Sequence, residues 1–324
     1  MECCPICGGS TVVRFRISDV PIRHCVYCGH GFTDYRADER HLATVYGDNY
    51  FSAVGPGYRD YLGEAELLRR RGVRYGVLIS CYAPRERVLD VGSAAGFIAA
   101  GMRDTGLTVT GLEPNERMAS YASHSLRLPT LNEALENLDV VGAYDAVSMI
   151  QVVAHFFDPR RAFAAAARAT RSPGYWLIES WKADSAMARI LGRRWHVYNP
   201  PSVLNYFTVK SLDILAAEFG FVRIATGRPW KLITAAHAAA LFEFLAPRSK
   251  AWRVAAAIAD RLPRSFMLPY PGDDIFWALY RGGAQAALNH GPARGSHTYE
   301  SRPTTQAGDH WNPELPGTEA RSQD

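Results

Sequence analysis

Residues 88–102 read VLDVGSAAGFIAAGM, a β-branched apolar run that breaks at Gly92 and Gly96 and continues as an alanine-rich helix. A strand, a tight glycine turn and a helix N-terminus form a pocket for a nucleotide compound at the carboxyl edge of a parallel sheet. The rest of the chain agrees with such a sheet. RVLDV, LTVTGLE, YDAVSMI, YWLIE and FVRIA read as strands, and amphipathic helical stretches separate them between residues 86 and 226. That alternation implies βαβ units and an α/β fold, a Rossmann-like doubly wound sheet.

The loop discriminates among nucleotide ligands. A dinucleotide fingerprint needs a middle glycine so that the backbone can approach a pyrophosphate, and Ala94 stands there. Asp90, two residues before Gly92, would repel phosphate but suits a ligand carrying an ammonium group. A phosphate loop fails as well, because no Gly-Lys-Ser/Thr follows. S-adenosylmethionine (SAM) has an amino-acid end, a sulfonium and no phosphate. LTVTGLEPN ends at Glu113, 21 residues beyond Gly92, where a carboxylate can accept hydrogen bonds from both ribose hydroxyls.

CPICG (4–8) and CVYCG (25–29) are two Cys-x-x-Cys-Gly knuckles with 17 residues between Cys7 and Cys25. Each can present two thiolates to one tetrahedral Zn²⁺, so Cys4, Cys7, Cys25 and Cys28 are expected to hold a structural zinc. So short a segment buries too little apolar surface to fold alone, and metal supplies the missing stability. A redox pair is the competing reading. Cys3 is out of register and Cys81 stands alone. Arg14, Arg16, Arg23, Arg36 and Arg40 are balanced by Glu2, Asp19, Asp34, Asp38 and Glu39, which disfavours nucleic acid as a partner.

The order LDVGSAAG, GLEPN, YDAVSMIQVVAHFFDP and PGYWLIES resembles the class I SAM-dependent methyltransferases over roughly residues 86–226. The resemblance implies cofactor-binding roles for Asp90, Gly92, Ser93, Gly96 and Glu113, with Glu133 and Ala134 beside the adenine. A ribbon followed by Tyr-x-x-x-Tyr-Phe (Tyr46, Tyr50, Phe51) is similar to bacterial methyltransferases of glycan and natural-product clusters, including deoxysugar C-methyltransferases. Those C-methyltransferases continue into a further domain absent from this chain, so their reaction is not simply inherited. In that group the aromatic segment lies over the cofactor and substrate mouth; here it can equally staple the ribbon to the core.

Methyl transfer is an in-line displacement that needs an aligned nucleophile and often a base. His155 stands where that group commonly has a histidine, with Ala154 in place of its neighbouring acid. Asp158 and Pro159 read as an N-cap and first helical position. His196 is a second base candidate, in a stretch whose Trp195, Tyr198 and Tyr206 can line a substrate pocket, as can Tyr50. The bland reading of that stretch is a packing lid.

The expected organisation is a zinc ribbon (1–35), an aromatic helical linker (36–85), a SAM-binding core (86–234), C-terminal helices with a last strand (235–285) and a disordered tail (286–324). Net charge is +4 over 324 residues, and no apolar run is long enough to span a bilayer. A cytoplasmic enzyme acting on a small-molecule substrate in a biosynthetic pathway is the expectation. A ribbon-bearing RNA methyltransferase and a SAM-binding protein without turnover are the alternatives.

Overall fold

The computed structural model describes residues 3–35, 37–38, 41, 44–47, 61–82, 87–229, 232–235, 238–239, 242–243, 250–263, 266–270 and 272–283. Tyr50, Phe51 and the expected tail lie outside them.

The N-terminal segment forms β1 (Thr11–Ile17), β2 (Val20–Cys25) and β3 (Gly31–Thr33), paired antiparallel in sequence order. Helix α1 (Ala65–Tyr82) then leads to β4 (Arg87–Val91), whose Val88, Leu89 and Val91 are all buried, as a strand covered on both faces requires. Helix α2 (Phe97–Arg103) follows the glycine loop, and β5 (Thr108–Leu112) pairs parallel with β4 from Arg87↔Thr108 to Val91↔Leu112. Helix α3 (Glu116–Ser125) starts at Asn115, whose side chain accepts from the Met118 N–H. Strand β6 (Thr130–Leu131) forms one edge.

On the other side of β4 lies β7 (Tyr144–Ile150), also parallel. Helix α4 (Pro159–Ala169) opens with Asp158 accepting from the Arg161 N–H at 3.0 Å and proline at its first position, as the sequence implies. Strand β8 (Thr170–Trp181) extends the parallel set. Beyond it come α5 (Ala186–Leu191), β9 (Asn205–Tyr206), α6 (Val209–Glu218) and β10 (Phe221–Gly227). A small antiparallel pair, β11 (Leu232–Thr234) with β12 (Met267–Pro269), flanks α7 (Lys250–Asp260). The first of the expected C-terminal helices falls mostly outside the described residues.

The last strand, β13 (Ile275–Gly282), enters antiparallel between β8 and β10, giving the order β10-β13-β8-β7-β4-β5-β6. Trp176 on β8 stacks on Phe221 of β10 with ring centroids 3.5 Å apart, and its indole N–H donates to Thr170. One strand departs from the expected organisation. β9 pairs with β3, not with the large sheet, so the cysteine segment shares a four-stranded sheet, β1-β2-β3-β9, with chain that follows β8.

Candidate active site

The carboxyl ends of β4, β5 and β7 open into one cleft, as the order of the parallel strands requires. Residues 90–94, 112–114 and 133–136 line it, with the turn after β7 and, from outside the sheet, Tyr46, Tyr61 and Arg71. The glycine loop adopts the conformations its sequence demands: Gly92 has φ +66° and Gly96 φ +82°. A Cβ on Gly92 would come within 2.5 Å of Val152, so only glycine lets the loop pass under the turn after β7. Ala94 takes φ +47°, a left-handed conformation without the glycine usually placed in it. Gly96 caps α2 against Ala122 and Leu128 and is not part of the cleft lining.

Asp90 is buried, and its Oδ1 accepts from the Ser148 hydroxyl at 2.7 Å. Burial pushes its carboxyl up to about 7, against the Ser148 hydrogen bond that pulls it down. Glu113 is also buried and also pushed up to about 7, again chiefly by desolvation. Its Oε1 accepts from the Asn115 N–H and its Oε2 from the Ala94 N–H, both at 2.8 Å. Each oxygen therefore keeps a lone pair for a further donor. Ser93 Oγ is buried with no hydrogen-bond partner among the described residues. A lined cleft with two acceptor-rich carboxylates and an unsatisfied hydroxyl fits a polyhydroxylated ligand bearing an ammonium, and the residues present fit SAM on that count. Glu133 and Ala134 line the same cleft.

Several residues at this site have no local sequence signal. Glu136 lines the cleft, accepts from the Phe157 N–H, and is pushed up to about 7 by burial. Glu179, near the carboxyl end of β8, is 0% exposed. Its Oε1 accepts from the Arg71 guanidinium and, at 2.7 Å, from the Gln151 amide, while its Oε2 is buried without a partner among the described residues. Gln151 itself sits at φ +60°, and both it and Arg71 face the cleft. Residues from α1, the turn after β7 and β8 thus converge, and only the tertiary fold brings them together.

His155 lines the cleft from a one-turn helix after β7. Its Nδ1 lies 2.8 Å from the Ser202 carbonyl and 2.9 Å from the Tyr46 hydroxyl, which also donates to that carbonyl. A carbonyl only accepts, so Nδ1 carries the proton and the lone pair resides on Nε2. Burial holds the imidazole below its ordinary value, so the ring is a neutral base at neutral pH.

Among the described residues, the other expected pocket residues are not in this cleft. His196 is exposed, edge-on to Trp181 at 4.7 Å. Trp195, Tyr198 and Tyr206 are buried in a cluster with Ile22, Met187 and Val203, and the Trp195 indole donates to Asp274 at 2.8 Å. They pack the β1–β3 sheet against the segment after β8, which is the bland reading of that stretch.

The four cysteines of the two knuckles converge, with all four sulfurs within 4.8 Å of one another. Cys4 and Cys28 sulfurs are 3.7 Å apart and those of Cys7 and Cys25 are 3.5 Å apart. A tetrahedral zinc with Zn–S of about 2.3 Å needs sulfurs separated by about 3.8 Å, so the set fits that ion. A disulfide needs about 2 Å and is not what these distances describe.

A family model described as a methyltransferase domain matches residues 65–226, half of the chain. The chain belongs to the methyltransferase-domain family. Among curated relatives, the ubiquinone biosynthesis O-methyltransferase of Marinobacter nauticus is 29% identical over 104 residues, 29% of this chain and 44% of that protein. The Escherichia coli enzyme of the same name is 30% identical over 134 residues, 38% of this chain and 56% of that one. The chain thus spans about half the length of the curated relatives it matches. Solved SAM-dependent methyltransferases from Thermotoga maritima (19% identity, 68% of this chain, 96% of that one, TM-score 0.45) and Archaeoglobus fulgidus (18%, 67%, 94%, 0.45) are similar. No described helix is long and apolar enough to cross a membrane.

Proposed function

We propose that the protein methylates a small-molecule acceptor in a biosynthetic pathway, with His155 as the base that takes the acceptor's proton. The observation that carries this reading is His155 itself: a neutral imidazole on the wall of the cofactor cleft, its tautomer set by the Ser202 carbonyl. SAM supplies a methyl group on a sulfonium. Asp90, Ser93 and Glu113 would hold it, with Gly92 shaping the loop and Glu133 and Ala134 beside the adenine. Arg71, kept in place by Glu179, offers a cation to the carboxylate end. His155 Nε2 would take the proton of an acceptor O–H or acidic C–H, leaving its oxygen or carbon to receive the methyl group. The names of the curated relatives support a hydroxyl on a small molecule. The cysteine module is proposed to hold one structural zinc.

A screen of phenols, carboxylates and nucleotide sugars, scored by conversion of SAM to S-adenosylhomocysteine, tests the acceptor class. On an accepted substrate, His155→Ala is expected to lower kcat by roughly 10²–10⁴ while S-adenosylhomocysteine binding persists. His196→Ala is expected to change turnover little, since His196 lies outside the cleft. A His155→Ala enzyme with wild-type kcat removes His155 from the chemistry.

A further inference from the structure

The turn that carries His155 is held on three consecutive residues by one strap of chain, residues 202–205. The Leu204 N–H donates to the Ala154 carbonyl at 2.9 Å. His155 Nδ1 donates to the Ser202 carbonyl at 2.8 Å. The Asn205 amide donates to the Phe156 carbonyl at 2.7 Å. The strap is in turn held by the cysteine module. The Thr33 N–H donates to the Leu204 carbonyl at 2.9 Å, and the Thr33 hydroxyl donates to the Val203 carbonyl at 2.8 Å. Gly31 and Phe32 pair with Tyr206 and Asn205 as β3 meets β9. Beyond the strap, Thr208 donates to the Cys28 carbonyl at 3.0 Å. Three residues separate Cys28, in the sulfur cluster, from Phe32 on the pairing strand.

We propose that the cysteine module is a positioning element for His155: Thr33 and β3 hold residues 202–205 so that the Ser202 carbonyl fixes the ring's orientation and tautomer. This rests on the reading of His155 as the base. A ring released from the carbonyl exchanges tautomers and loses its fixed Nε2 lone pair, and small misplacements of a reacting group cost large factors in rate. The cofactor carboxylates depend on other partners, Ser148 for Asp90 and the Ala94 and Asn115 amides for Glu113. The module therefore acts on the acceptor half of the site and leaves the cofactor half alone.

The experiment needs no acceptor. Zinc-loaded protein labelled with ¹⁵N in its histidine rings is examined by NMR, with His155→Gln identifying the His155 signals. The wild-type ring is expected as the Nδ1–H tautomer. Thr33→Val keeps the side-chain volume and removes the hydroxyl. It is expected to shift or broaden the His155 signals while S-adenosylhomocysteine affinity, by calorimetry, stays within about twofold. Thr33→Ser is expected to restore the wild-type spectrum. If Thr33→Val does not fold, metal-stripped wild type takes its place with the same two readouts. A His155 spectrum indifferent to these changes overturns the proposal. So does cofactor affinity that collapses along with the His155 signal, because the module would then be a general support. Failure of the base reading is separate, seen as turnover in His155→Ala with these spectra as expected.

Discussion

Asp90 and Glu113 are carboxylates buried beside one loop, each raised by desolvation to about 7 from ordinary values of 3.8 and 4.5. A carboxyl raised in the folded state contributes stability that is fully present below its unfolded value and is lost as pH rises through the folded one. The ligand-free protein is thus expected to lose stability between about pH 4 and pH 7 on account of this pair, as melting temperature against pH would record. Binding works in the opposite sense. An ammonium and two hydroxyl donors favour the charged carboxylates, so S-adenosylhomocysteine binding should release protons near pH 6 and tighten toward pH 8. The gain is at most about tenfold per pH unit for each proton released. Calorimetry in buffers of different ionisation enthalpy measures the release, and pH-independent affinity with no proton exchange rejects the assignment. Glu113→Ala removes a charged acceptor worth about 1.5–3 kcal/mol and should weaken S-adenosylhomocysteine roughly ten- to hundredfold. These two carboxylates were legible in the sequence because their placement is local, set by the glycine loop and by the end of one strand. Arg71, Gln151 and Glu179 were not legible: they lie on α1, the turn after β7 and β8, and no spacing in the chain announces that they meet.

The crossing of α1 over α2 brings Arg71 to the cleft, and it depends on missing side chains. A Cβ on Gly101 would stand 2.0 Å from the Arg69 carbonyl oxygen and 2.8 Å from the Val73 nitrogen, both backbone atoms of α1. A Cβ on Gly72 would meet the Ile98 carbonyl oxygen at 2.1 Å. Alanine in a helix gains about 1 kcal/mol over glycine from propensity alone. Here the collision is with backbone, which cannot rotate aside, and overpacking of this kind costs about 1–3 kcal/mol or more. The collision wins. Gly101→Ala is therefore expected to lower the melting temperature and, by displacing α1, to weaken S-adenosylhomocysteine binding through Arg71. A Gly101→Ala protein as stable as wild type would mean the helices sit further apart. The same scale explains what the sequence hid. Strands of β-branched residues between helices declare themselves by pattern, whereas β9 has two residues and no pattern to show. Trp195, Tyr198 and Tyr206 read as pocket walls because aromatic density serves a pocket or a packed interface equally. Their neighbours in space, absent from the sequence, decide for the interface.

At the scale of the whole molecule, two sheets share the chain through β9, and they derive stability from different sources. The seven-stranded sheet has an apolar core on both faces, with Leu89, Val147 and Trp176 on one and Val88, Ala146 and Leu177 on the other. The four-stranded sheet has Val12 and Val13 of β1 exposed, and the buried apolar side chains on its strands are only Ile22, Cys25, Phe32 and Tyr206. Such a module is expected to need the metal that its four converging sulfurs fit, a structural zinc contributing on the order of 10 kcal/mol. Purified protein should hold about one zinc per chain, and Cys4→Ser with Cys7→Ser should abolish it. Stripping the metal should then melt β1, β2, β3 and β9 while the large sheet persists. Saturating S-adenosylhomocysteine at about 100 times its Kd adds about 2.7 kcal/mol to whatever binds it. The upward shift in melting temperature that this produces should therefore survive metal removal, although circular dichroism of the stripped protein should show lost strand. Differential scanning calorimetry with and without chelator, each with and without S-adenosylhomocysteine, separates the cases. A ligand-induced shift that disappears with the metal would show that the large sheet cannot hold its cofactor cleft without the cysteine module, and the division of labour between the two sheets would be wrong.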